Sequence, residues 1–351
     1  MKNLNINRLF WTLFLSVFAI ISLSSCRDDS SDDSKAGPPV IEKITGSLDG
    51  NGQPVDLTPI TQAQANNTVI IHGSGFKTLQ HVYFNGTESA FNPNFVSDNT
   101  IIVNINPDTP YANTSNKLKL VTAFGETIYD FVVAPPAPVL KSFNAVNANA
   151  GETITIYGNY FVNPEVKFGT TKATVTSSTL TEIKVVVPAN SNNKYITVST
   201  ISGDATSAYA TGTAIFDDAF YSPWTIEDWN NHTFETGPNA EQGTVCIKKT
   251  MDAWGNLQGN WGWDDKISNY KGIRIAIKAE KAGKLKFIFN GDWSERVMLD
   301  VTTEWKTFII TWDQVGNADH VQNISFQNFT KENGDGVANT FYIDNIGYAL
   351  K

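Results

Sequence analysis

Apolar residues in this chain recur at every second position. Ile154 and Ile156, Val166 and Phe168, Ile273, Ile275 and Ile277, and Leu285, Phe287 and Phe289 all keep that spacing. A two-residue period predicts strands that bury one face and leave the other toward water. Gly, Asn and Pro interrupt these runs at intervals of about ten residues, the rhythm of a β-sandwich. The one long apolar run is Leu9–Leu23, broken only by Thr12, Ser16 and Ser22. It is short of the roughly 20 residues that a membrane span needs, but it suits a secretory h-region behind the positive Lys2 and Arg8.

That run ends Leu23-Ser24-Ser25-Cys26, which resembles the lipobox of bacterial lipoproteins. The resemblance implies a signal peptide over residues 1–25 and lipid on Cys26, with several acyl chains giving a stable anchor. Arg27–Pro39 has no apolar periodicity and is expected to be a flexible tether reaching roughly 20 Å. Asp28 and Asp29 directly after the Cys resemble the surface-export signal of Bacteroidota lipoproteins, which implies an outer-membrane protein facing the cell exterior.

The middle of the chain repeats itself. Val69–Phe76 (VIIHGSGF) corresponds to Ile154–Phe161 (ITIYGNYF), and Val82–Thr87 to Val166–Thr171. Ile101–Pro107 corresponds to Glu182–Pro188, and Leu118–Val121 to Ile196–Ser199. Order is kept while the offset shrinks from 85 to 78, as in duplicated domains that differ in loop length. A strand-G-x-x-F element (Gly73 and Phe76; Gly158 and Phe161), a following V-x-F strand and a closing strand that ends in Pro resemble the IPT/TIG immunoglobulin-like domain. The copies are expected at 40–134 and 135–213, joined at Ala134-Pro-Pro-Ala-Pro138. With no Trp and no carboxylate cluster, they read as spacers.

Composition changes at about Ala214. Of nine Trp, one is Trp11 and eight fall between Trp224 and Trp312. Seven or eight strands over 214–351 predict a β-jelly roll, so the whole chain is expected to be all-β: two tandem Ig-like sandwiches, then a carbohydrate-binding module. The opening Ala214–Asp218 and the ending Phe341–Tyr348 resemble the terminal strands of such modules. Asp252–Asp265 holds Trp254, Trp261 and Trp263 among three glycines, and Asn290, Asp292 and Trp293 form a second cluster. A pyranose has an apolar face for an indole and hydroxyls for polar side chains. The expected glycan contacts are therefore Trp254, Trp261, Trp263, Trp293, Asn256, Gln258, Asn260, Asn290, Asp292 and Arg296, with Asp264 and Glu295 beside them. If the segment is extended, Trp261 and Trp263 point the same way. Trp305 and Trp312 are expected to pack on a sheet; Trp224 and Trp229 are open.

Charge narrows the partners. Formal net charge is −9 with no basic run, which excludes nucleic acid. Residues 216–351 carry 13 Lys/Arg against 19 Asp/Glu, which favours a neutral glycan. No G-x-S-x-G, H-E-x-x-H or Walker loop is present. A glycosidase would need two flanking carboxylates; Asp252, Asp264, Asp292, Glu295 and Asp300 are candidates with no fixed spacing. No cofactor is required, although a structural calcium on Asp217, Asp218 and Asp344 is a further expectation. Cys246 reads as a buried free thiol.

In order, lipobox, acidic tether, two TIG-like domains and a Trp-rich jelly roll resemble the surface glycan-binding proteins of Bacteroidota polysaccharide-utilisation systems. The last domain resembles the xyloglucan-binding domain of the second such protein. The resemblance implies non-catalytic capture of polysaccharide beside a TonB-dependent transporter and its partner lipoprotein, with a β-glucan-type chain favoured. A lipid-anchored glycosidase, or an adhesin using the TIG-like domains, are the alternatives.

Overall fold

A computed structural model describes residues 37–47, 57–221, 223–237 and 239–351. The expected leader, Cys26 and most of the expected tether lie outside them. Among the described residues every element is a strand, apart from a short 3-10 turn at Asp228–Asn230.

The first module has two four-stranded sheets. One is ordered Val40–Gly46, Thr68–Ser74, Thr100–Asn104, Phe91–Val96; the other is Thr87–Glu88, Leu79–Phe84, Lys117–Thr122, Gly125–Asp130. The second module repeats both orders, as Val139–Asn144, Thr153–Asn159, Glu182–Val186, Thr174–Ser178 and Thr171–Lys172, Glu165–Phe168, Tyr195–Thr200, Gly203–Ala210. Alternating residues close each sandwich; Ile154, Ile156, Val166 and Phe168 all lie in the second core.

The repeated G-x-x-F element has a steric cause. A Cβ on Gly73 would lie 1.9 Å from the Val40 carbonyl oxygen and 2.7 Å from the Phe76 ring. On Gly158 it would lie 1.9 Å from the Val139 oxygen and 2.4 Å from Phe161. Both modules place a β-bulge here, at Ile41/Lys43 and Leu140/Ser142. The bulged strand presses its carbonyl onto the glycine while the Phe folds back over it.

The C-terminal domain packs a seven-stranded sheet on a four-stranded one. In the larger sheet, Asn339–Leu350 pairs with Ala214–Asp217, Val245–Met251 and Tyr270–Ala279. The smaller sheet runs Asn256–Gln258, Ile324–Asn328, Gly283–Phe289, Asp292–Val301. Ile273, Ile275 and Ile277 meet Leu285, Phe287 and Phe289 between the sheets. Strand Asn256–Gln258 was not expected, because three residues leave too little alternation to detect. Trp312 packs against this core and donates its indole N–H to Tyr270 O at 2.7 Å. Trp305 instead lies on the outside, half-buried under the Lys278 ammonium. Cys246 is buried and free, and burial pushes its thiol up to about 12.

Asp217, Asp218 and Asp344 require a correction. They accept from amide donors at and beside the joint between the second module and the C-terminal domain, and of their oxygens Asp217 Oδ1 is buried without a partner. Asp217 Oδ2 accepts the Val146 N–H at 2.6 Å. Asp218 Oδ1 accepts from Thr244 N (2.7 Å) and Val245 N (2.6 Å), and its Oδ2 from Asn144 Nδ2 (2.5 Å). Asp344 accepts from Glu241, Gln242 and Asn345 N–H groups at 2.8, 2.9 and 2.6 Å. Among the described residues no cluster of three His, Cys, Asp or Glu could hold a metal. The joint also holds Gln242, which donates to Phe143 O and accepts from the Tyr209 hydroxyl, and Arg274, whose guanidinium lies 4.3 Å from the Tyr209 ring centre. The Val146–Asp217, Asn144–Asp218 and Gln242–Phe143 hydrogen bonds cross this buried seam and fix the two domains as one piece.

Candidate functional site

The outer face of the four-stranded sheet carries the site. Leu285, Phe287 and Phe289 face the core, so Lys286 faces outward. Lys286 pairs with Met298 on one side and Gln327 on the other, and Gln327 pairs with Asn256. These four side chains make one row across all four strands.

Aromatic rings are fastened to that row. Trp254 meets Phe329 edge-on, with centroids 4.7 Å apart and planes at 85°. Gln327 Nε2 donates to Trp254 O at 2.8 Å, and the Lys331 ammonium lies 5.5 Å from the Trp254 ring centre. The Lys286 ammonium lies 4.9 Å from the Phe329 ring centre and 5.6 Å from that of Trp293. It also donates to Trp293 O at 2.9 Å. Trp293 is therefore anchored through its backbone as well as its ring, which is how a large apolar side chain stays in water without collapsing inward. Trp261 rests on Gly291, in the turn just before Asp292 and Trp293. Trp254, Trp261 and Trp293 are all exposed.

Trp263 requires a correction: it is 1% exposed against 59% for Trp261. The segment is not extended, because Gly262 takes φ +104° between them. That conformation turns one ring outward and the other into the core, where Trp263 meets Trp224 at 6.5 Å. Trp224 is fully buried and donates to Ile324 O at 3.2 Å. Gly259 is the residue that makes room for it, since a Cβ there would lie 2.1 Å from Trp224 Nε1.

The polar candidates divide in the same way. Asn256 and Gln258 stand on the outer face, with Gln258 Nε2 donating to Asn256 Oδ1 at 3.0 Å. Asn260 is engaged with the backbone: it accepts from Thr225 N (2.8 Å) and donates to Pro223 O (2.8 Å). Asn290, at φ +47°, accepts from Gln322 N (2.7 Å) and donates to His320 O (3.0 Å). Both asparagines shape loops and have little left to offer a ligand. Arg296 Nε donates to Asp292 Oδ2 at 2.9 Å. Hydrogen bonds from Ser294 and Arg296 pull the Asp292 carboxyl down to about 2. Asp264 and Glu295 are exposed.

Sequence reasoning missed Lys286, Gln327, Phe329 and Lys331. Each stands in or beside an ordinary alternating strand, and only the sheet order brings them to Trp254 and Trp293. Among the described residues Trp229 is the most exposed Trp, at 62%.

Residues 54–131 and 138–214 each match the IPT/TIG domain, and residues 215–351 match the expansin-like protein C-terminal domain. An IPT/TIG domain-containing protein of Bacteroides ovatus is 24% identical over 189 residues, covering 52% of this chain and 37% of that protein. A cyclomaltodextrin glucanotransferase of Thermoanaerobacterium thermosulfurigenes is 34% identical over 198 residues, covering 53% of this chain and 28% of the enzyme. The chain thus spans about a third of the length of these curated relatives. Among solved structures, the surface glycan-binding protein PbSGBP-B from Prevotella bryantii has a TM-score of 0.49 at 19% identity, covering 90% of this chain and 99% of its own.

Proposed function

We propose that this chain, with its two IPT/TIG domains and a two-sheet C-terminal domain, is a non-catalytic, cell-surface binder of a neutral polysaccharide of β-glucan type. The observation that carries this reading is the set of three exposed indoles, Trp254, Trp261 and Trp293, mounted at one face beside Asn256, Gln258, Gln327 and Lys286. Flat rings cover the C–H faces of sugars, while the amides of Asn256, Gln258 and Gln327 meet the hydroxyls and the buried Lys286 holds the rings in place. The rings are held by Phe329, Gln327, Lys286 and Gly291 before any ligand arrives, so little ordering is needed on binding.

The carboxyls support binding rather than hydrolysis. A glycosidase needs an acid that keeps its proton near neutral pH beside a second carboxylate. Asp292 is driven to about 2, and Lys284 draws Asp300 below its ordinary range. Burial raises Asp217, Asp344 and Glu241 instead, and these stand at the joint, not on the ring-bearing face.

In this reading Cys26 carries lipid in the outer membrane, the TIG domains are spacers, and the platform presents glycan to a TonB-dependent transporter and its partner lipoprotein. Affinity electrophoresis of the mature protein against neutral polysaccharides, with alginate and pectin as controls, tests it. Retardation by a β-glucan that is lost in Trp254→Ala/Trp261→Ala/Trp293→Ala, with unchanged circular dichroism, is the expected result. Equal retardation of the variant, or release of reducing ends by the wild type, would overturn it.

A further inference from the structure

Trp229 belongs to no part of the face described so far, yet it is the most exposed Trp among the described residues and its backbone is firmly mounted. It sits in the 3-10 turn Asp228–Asn230. Asn230, 3% exposed, clamps that turn to the edge strand: its Oδ1 accepts the Gln258 N–H at 2.9 Å and its Nδ2 donates to Gln258 O at 3.0 Å. The Lys249 ammonium holds the Asn230 carbonyl from the other side. Upstream, Asn260 N donates to Thr225 O at 3.0 Å, and Ile226 bridges Gly259. Thr225 and Ile226 therefore pair as a fifth lane beside Gly259 and Asn260, and the turn that carries Trp229 continues it along Gln258. Among the described residues no other ring stacks on Trp229. The backbone that carries this exposed indole is thus fixed from both sides.

We infer that Trp229 is an outer subsite of the platform, and that the ligand is a β-linked chain lying across the strands from Trp293 to Trp229. This rests on the glycan-binding reading above. Polar side chains of Asn256, Gln258, Gln327 and Lys286 occupy the lanes between the two indoles. Five lanes about 4.8 Å apart give a crossing of about 19 Å, room for about four pyranose units. The site therefore selects internal stretches of a polymer over mono- and disaccharides.

Calorimetric titration with cello-oligosaccharides of two to six units tests this in the wild type, Trp229→Ala, Trp229→Tyr and Trp293→Ala. Wild-type affinity is expected to rise at least tenfold from the disaccharide to the pentasaccharide and then level off. Trp229→Ala flattens that rise, Trp229→Tyr restores most of it, and Trp293→Ala weakens every length. Near-ultraviolet circular dichroism checks that each variant is folded. A Trp229→Ala protein that follows the wild type at every length removes Trp229 from the site. A wild type that binds with no length dependence overturns the crossing. A wild type that binds no oligomer overturns the β-glucan reading itself.

Discussion

Trp261 lies against Gly291, with its ring carbon Cη2 2.7 Å from where a Cβ on that glycine would stand. Gly291 also holds φ +74°, a conformation that L side chains reach only at a cost. Gly291→Ala therefore both strains the turn and lifts the indole. We expect about 1–2 kcal/mol of lost stability, read as a lower midpoint in urea. Retardation by the bound polysaccharide should weaken several-fold. An unchanged affinity would remove Trp261 from the site.

Trp263 and Trp254 separate folding from binding. Trp263→Ala leaves a large hole in the C-terminal core and should cost about 3–5 kcal/mol. Trp254→Ala removes an exposed ring, so its thermal midpoint should stay near that of the wild type. Its polysaccharide affinity should fall about thirtyfold, the loss of a hot-spot indole worth about 2 kcal/mol. Scanning calorimetry beside affinity electrophoresis distinguishes the two effects.

Gly158→Ala tests the packing behind the G-x-x-F repeat. The new methyl would overlap the Val139 carbonyl oxygen and the Phe161 ring. Overpacking of this kind typically costs about 1–3 kcal/mol. Here backbone is on one side, so the upper end is expected. Phe161→Leu in the same background should recover part of the loss; no recovery would mean that the carbonyl alone sets the constraint.

The joint makes stability fall as pH rises. Burial raises Asp217 from 3.8 to about 6 and Asp344 from 3.8 to about 8. Between pH 4 and those values the folded chain holds protons that the unfolded chain has released, so each step up in pH favours unfolding. Asp292 acts oppositely, but only below its ordinary range, because its carboxyl is pulled down to about 2. Urea midpoints from pH 5 to pH 9 should therefore decline. Asp344→Asn removes one titrating group and should flatten the slope between pH 6 and pH 8, whatever it does to absolute stability. An identical slope would show that Asp344 does not set it.

Much of the fold was legible because strand period, turn residues and duplication are local properties. Ile154, Ile156, Val166 and Phe168 alternate in the sequence and line one core. Gly158 and Phe161 recur as Gly73 and Phe76 because the same carbonyl collision recurs. The binding face was legible only in part. Trp density located the region, and exposed Trp254, Trp261 and Trp293 lie there. Trp263 was misplaced because a single glycine dihedral, Gly262 at +104°, reverses the direction of one ring relative to its neighbour. Asn260 and Asn290 have the composition of a sugar site, but they serve backbone groups that only the folded loops expose.

By itself, the sequence determined the all-β character, the duplicated module, the change of composition at about Ala214 and the indoles available for a site. Tertiary structure alone decided which indoles face water and which companions they have. Lys286, Gln327 and Phe329 are distant from Trp254 in the chain, and pairing across strands brings them together. It also decided that Asp217 and Asp218 reach across a domain joint while Asp344 holds Glu241 and Gln242 beside it. A carboxylate's role follows from the donors that surround it, and those donors come from segments up to 103 residues away.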